Sequence, residues 1–128
     1  MKILFTSPDE LEISGSYREM KEIKVNLCSL SEGFNTELFI DADSSASPSP
    51  YERALNSIQA FVSSGPTKIS VDGNKVIIEG SSESFDGLST FFSFNEGDPS
   101  GTHNHHEYIE GDIYIHPDSI PTVMAIEE

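Results

Sequence analysis

The segment GTHNHHEYIEGDIYIHPDSIP, residues 101–121, gathers every histidine of the chain: His103, His105, His106 and His116. Tyr108, Tyr114 and the carboxylates Glu107, Glu110, Asp112 and Asp118 stand among them. Imidazole with carboxylate is the donor set of zinc and iron sites, and His103, His105 and Glu107 at alternate positions of a strand would share one face. A small metal-dependent enzyme could be built on those three residues. The spacing alone does not select metal, because histidine pairs on strands also pack as hydrogen-bonded structural residues. The chain has no HExxH helix motif and no distant histidine to complete a cage, so no metal and no cofactor is expected. Acyl and phosphoryl chemistry fare worse. There is no GxSxG elbow and no P-loop, and the single cysteine, Cys28, falls within a helical pattern far in sequence from any histidine. The glycines from Gly97 to Gly101 precede no helix start and read as a loop. The chain is expected not to be an enzyme.

Strand alternation in this segment puts His103, His105, Glu107 and Ile109 on one face and Asn104, His106, Tyr108 and Glu110 on the other. A three-residue turn at Glu110-Gly111-Asp112 would pair Ile109 with Ile113 on the buried side and line the other face with Tyr108, Tyr114, His106 and His116. A two-residue Gly111-Asp112 turn would shift this register by one. The first reading keeps the isoleucines together.

The surrounding elements must hold this hairpin. Ser16 and Glu19 form an S-x-x-E capping box, apolar residues recur at Tyr17, Met20, Ile23, Leu27 and Leu30, and Gly33 ends that helix. The polar stretch DADSSASPSP, 41–50, reads as a loop. Ser49-Pro50-Tyr51-Glu52 reads as a second capping box, with Tyr51, Ala54, Leu55, Ile58, Phe61 and Val62 on one stripe, predicting a central helix over 51–63 that stops at Gly65-Pro66. A hairpin around Asp72-Gly73-Asn74 follows, then a helix over 82–94 carrying Phe85, Leu88, Phe91 and Phe92. Strands are expected near 2–6, 11–14, 36–40, 67–71, 75–80, 104–109, 113–116 and 121–126. The fold class is α+β, a mainly antiparallel sheet with helices on one face.

An internal repeat runs through the pattern. LEISGSYREMKEIKVNL (11–27) laid over VIIEGSSESFDGLSTFF (76–92) matches Gly15 to Gly80, Ser16 to Ser81, Met20 to Phe85 and Leu27 to Phe92, a spacing of about 65 residues. One domain, 1–128, is expected to comprise a first half-repeat, 1–65, with the central helix, and a second, 66–128, with the histidine- and tyrosine-rich hairpin.

Composition sets the partners. The chain of 128 residues carries 22 acidic and 7 basic side chains, a formal net charge of -15, which repels nucleic acid and anionic membranes and favours a cationic partner. Residues 1–65 hold 10 acids and 5 bases, and residues 66–128 hold 12 and 2, so the second half is the more acidic. An acidic structural or regulatory domain, with charge serving only solubility, is the plain alternative. No apolar run approaches the ~20 residues that span a bilayer, and Met1 opens onto KILFTSP without signal-peptide features. The single cysteine fits a reducing compartment. The expected location is cytoplasmic.

The closing residues HNHHEYIEGDIYIHPDSIPTVMAIEE resemble the end of the immunity protein 32 family of bacterial polymorphic toxin systems. In that family an H-x-H-x-E-Y run leads through a turn into Y-L-x-x-D-S-x-P and a final apolar strand. The likeness spans roughly the last 60 residues and carries onto His103, His105, Glu107, Tyr108, Tyr114, Asp118, Ser119 and Pro121. The chain departs from it at Glu110 and Asp112, where the family pattern has a proline and a histidine, and through most of the first half. The resemblance implies a small cytoplasmic antidote that blocks a cognate toxin domain by binding it without catalysis, and the acidity of the chain leads to the expectation that this domain is basic. On that reading Tyr108, Glu110, Asp112, Tyr114, His106 and His116 form the toxin-binding face. His103, His105 and Glu107 support the strand, and Asp118-Ser119 make a turn before Pro121.

Overall fold

The computed structural model describes residues 1–45 and 47–128; Ala46, inside the expected 41–50 loop, lies outside the described residues. The architecture is α+β, with nine strands in two mixed sheets and two α-helices among those residues. The elements are β1 (Lys2–Thr6), β2 (Glu10–Gly15), α1 (Tyr17–Ser31), β3 (Glu37–Asp41), β4 (Arg53–Leu55), β5 (Ser57–Val62), β6 (Lys68–Asp72), β7 (Lys75–Gly80), α2 (Ser82–Ser89), a 3-10 turn Thr90–Phe92, β8 (His103–His106) and β9 (Thr122–Ile126). No helix among the described residues is long and apolar enough to cross a membrane.

The local signals were obeyed. Ser16 Oγ accepts from Glu19 N at 3.1 Å and Ser16 N donates to Glu19 Oε1 at 2.9 Å, which closes the capping box that starts α1. At the second helix Ser81 Oγ accepts from Ser84 N at 3.2 Å. Gly33, at φ +80°, follows the end of α1 in the left-handed conformation that glycine tolerates best. The β6–β7 hairpin turns through Gly73 and Asn74, with Asp72 opposite Lys75.

The expected helix over 51–63 does not form. Its residues make β4 and β5 instead, and Glu52 N donates to Thr6 Oγ1 rather than to a cap. The apolar stripe that suggested a helix also reads with period two: Ile58 and Ala60 are buried on one side of β5, and Gln59 and Phe61 face the other way. Such short runs are ambiguous, and here pairing decides. β5 runs antiparallel to β3 and parallel to β7, so its backbone is satisfied on both sides by distant strands.

Sheet A has the order β4-β1-β2-β9-β8 and sheet B the order β3-β5-β7-β6. The two halves follow the same path with their ends exchanged. The β1–β2 hairpin lies beside β9 and β8 from the second half, and the β6–β7 hairpin lies beside β5 and β3 from the first. The register repeats too: Gly15 is opposite Ile126 and Gly80 opposite Val62. Backbone bonds repeat with it, Glu127 N to Gly15 O and Ser63 N to Gly80 O both at 2.8 Å, Ile126 N to Thr102 O and Val62 N to Thr36 O both at 2.8 Å. Each sheet is thus completed only by strands of the other half.

One continuous core draws on both sheets and both helices. Ile3, Phe5, Leu11, Ile13, Met124 and Ile126 from sheet A meet Ile58, Ile69, Val76 and Ile78 from sheet B, with Met20, Ile23, Leu27 and Leu30 of α1 and Phe85 and Leu88 of α2. A Cβ at Gly80 would lie 2.5 Å from Ser84 Oγ and also 3.0 Å from Thr67 Cα and 3.2 Å from Thr67 N, backbone atoms that cannot rotate away, whereas at Gly15 the two nearest atoms belong to the movable Glu19 side chain and the nearest backbone atom, Met1 Cα, is at 3.4 Å. Gly80→Ala should therefore cost about 1–3 kcal/mol, and more than Gly15→Ala. Urea denaturation of the two variants measures the difference, and equal losses would refute the backbone clash.

Candidate functional site

The expected hairpin over 104–116 is not formed. β8 is only four residues long and pairs with β9, His103 opposite Ala125 and His106 opposite Thr122, while residues 107–121 run as a loop. That loop is tied to β6, the edge strand of sheet B. Thr67 N donates to Tyr114 O at 2.8 Å, His116 N to Thr67 O at 2.9 Å and Ile120 N to Ile69 O at 2.8 Å. Ser119, buried, accepts from Ile69 N on its Oγ at 2.9 Å. The loop thereby covers donors and acceptors that an open sheet edge would expose.

The faces of β8 are the reverse of those expected. His106 is buried at 1% exposure, its ring edge-on to Phe91 with centroids 4.8 Å apart, so it has no surface to offer a partner. Asn104 on the same side donates from Nδ2 to Phe91 O at 2.9 Å. His103 and His105 are exposed, their rings edge-to-face at 4.8 Å. The hydrogen bond of His103 Nδ1 to Gly101 O at 2.8 Å fixes its proton on Nδ1. Burial drives the His106 imidazole down to a pKa of about 4, against a smaller upward pull from Asp112, and its Nδ1 has no hydrogen-bond partner among the described residues.

His105 shares a sheet face with Glu12 across β9, since Val123 lies opposite both. Burial raises the Glu12 carboxyl above its usual range and the charge of Glu127 adds to this, while Lys2 and His103 work the other way. Beside His105 a small cavity of about 180 Å³ is bounded by Asp9, Glu10, Tyr51 and Glu107. Among the described residues no three His, Cys, Asp or Glu side chains converge so as to hold a metal ion, and His103, His105 and Glu107 do not. Elemental analysis of the purified protein should find no stoichiometric zinc or iron; one tightly held equivalent lost in His105→Ala would contradict this.

Ile109 and Ile113, expected to pair in the core, are each 73% exposed, and Tyr114 is 49% exposed. Asp112 explains why. Its Oδ1 accepts from Tyr114 N at 2.8 Å and Ile115 N at 3.1 Å, and Asp112 N donates to Ile109 O at 2.9 Å, so the segment coils into a turn and turns both isoleucines outward. Glu107, Glu110 and Asp118 on the same loop are exposed. Tyr108 is half-buried and lines a separate groove with Pro8 and Pro117. His116 is also half-buried, its Nδ1 accepting from Asp118 N at 2.9 Å. Pro121 is half-buried just before β9.

Tyr114 also borders a groove of about 610 Å³ between the end of α1 and the start of α2, where Glu32, Glu83 and Asp86 supply carboxylates. Sequence reasoning missed this acidic groove and the outward isoleucines. The signal for the second was present: an Asp two residues before Tyr114 favours an Asx turn over a strand. Comparison of the chain with protein-family models, with curated proteins and with solved structures finds no match.

Proposed function

We propose that the protein is an immunity protein that binds and neutralises a cognate bacterial toxin domain in the cytoplasm. The observation that carries the reading is the exposed Ile109, Ile113 and Tyr114 on one anchored loop that also exposes Glu107, Glu110 and Asp118. Apolar anchors inside a charged rim are the anatomy of a protein-binding patch, and a rigidly held loop loses little entropy when it docks. The net charge of -15 suits a basic partner, as enzymes that attack nucleic acid are around their active sites. Neutralisation follows by covering the toxin's surface, without a reaction.

The reading is tested by co-expressing the chain with the product of the gene adjacent to its own and following their association. Glu107→Gln with Glu110→Gln should slow association several-fold at low salt and leave dissociation nearly unchanged, because rim charges act on encounter. Asp112 is left intact in this test because it holds the turn. Identical association rates in the parent and the double variant would remove the steering role.

A further inference from the structure

We propose that the outer face of α1 is a two-fold homodimer interface, in which α1 of one subunit lies antiparallel to α1 of a second copy of this chain. The charges on this face are segregated along the helix. Arg18, Lys21 and Lys24 occupy its first half and are three of the seven basic residues in the chain. Glu22 is offset by Arg18 at 3.6 Å and Glu19 is held in the cap, while among the described residues Lys21 and Lys24 form no ion pair. At the other end stand Glu32, the C-cap, and across the groove Glu83 and Asp86 of α2.

The N-terminus of the helix is compensated, since the carboxylates of Glu19 and Glu128 accept from Ser16 N and Tyr17 N, while the last turn has no basic residue to offset Glu32. In one subunit the separation of charge along the face goes unused, because among the described residues Lys21, Lys24, Glu32, Glu83 and Asp86 form no ion pair. A second helix of opposite direction converts it into attraction, since each positive half then faces the other's negative end. Between the poles the surface is apolar: Val25, 61% exposed, and Phe34, 76% exposed, border a groove of about 530 Å³ that half-buried Phe94 and the buried Phe92 also line. A two-fold axis near Val25 makes this single patch its own complement. The net charge of -15 opposes association at long range, but a Debye length of about 8 Å at physiological salt screens it while pairs in contact persist. Tyr114 borders the acidic pole, so this dimer and the proposed toxin complex are alternatives; self-association is nonetheless measured on the chain alone and does not depend on the toxin reading.

Sedimentation equilibrium of the purified chain over a wide concentration series should show a reversible monomer–dimer equilibrium. Lys21→Glu with Lys24→Glu places acid opposite acid, and Glu83→Lys with Asp86→Lys places base opposite base. Each variant should weaken dimerisation by about tenfold or more. Mixed in equal amounts, the two should form a heterodimer, because each pole of one then meets its opposite on the other. Circular dichroism on each variant shows that the surface substitutions leave the fold intact, and Phe34→Asp, which carries no charge-pairing role, should also disrupt the dimer. A parent chain that is monomeric at every concentration, a dimer that both charge variants leave intact, or a mixture that stays monomeric would overturn the proposal.

Discussion

Acidification from pH 6.5 to about pH 4 is expected to cost the fold about 3 kcal/mol through His106 alone, since its pKa falls from 6.5 to about 4 on folding. The unfolded chain takes up this proton at the ordinary value, whereas the folded chain refuses it until about pH 4, because the imidazole is packed against Phe91 without a partner for Nδ1. The unfolded state therefore binds more protons throughout the window, and stability falls as pH falls. The neutral form's contribution is complete above the unfolded value and lost below the folded one. Glu19 and Glu127, whose carboxyls are held low by hydrogen bonds to the Met1 amino group and to Lys2, weaken the fold in the same direction as pH falls through the ordinary carboxylate range, while Glu12, whose carboxyl burial raises, opposes them there. The histidine is read from the difference between the parent and a variant lacking it, in which the carboxylates common to both cancel. Urea denaturation at pH 7 and pH 5 should show a loss of about 2 kcal/mol in the parent and a much smaller one in His106→Leu. Parallel profiles would show that the imidazole is not the group responsible.

The second large effect is on binding. Tyr114→Ala and Ile113→Asp should each weaken capture of the toxin by about 2 kcal/mol or more while leaving the melting temperature nearly unchanged. Both side chains are held outward by the Asp112 turn, with exposures of 49% and 73%, so the fold gains little from them. Tyr108 is different. Half-buried beside Pro8 and Pro117, it should matter more to the loop's own packing than to the partner. A Tyr108→Ala variant that loses binding while Tyr114→Ala retains it would move the working surface to the other side of the loop.

Much of the frame was legible because its signals are local. Ser16 with Glu19, Ser81 before α2, and Gly73 in its turn each act within a few residues, and the match of Gly15 to Gly80 foreshadowed two halves with the same register. Two segments misled for a common reason. Residues 51–63 carry a helical stripe, but their backbone is claimed by β3 and β7, from opposite directions along the chain. Residues 113–116 alternate like a strand, yet β8 pairs with Thr122–Ile126, whose inward residues are buried, and the Asx turn at Asp112 takes 113–116 away to the edge of sheet B. With that hairpin went the expected faces, which put His106 inside and His103 and His105 outside. Non-local pairing has no signature in a single stretch of sequence, and the candidate site lies where such pairing decided the outcome.

The central claim is tested most directly by protection. Cells expressing the product of the gene adjacent to that of this chain are grown with and without it. Full rescue is expected by the parent and by His105→Ala, and loss of rescue by the double variant Ile113→Asp with Tyr114→Ala at equal soluble expression. Growth arrest that the parent does not relieve, or rescue undiminished in the double variant, would contradict that claim.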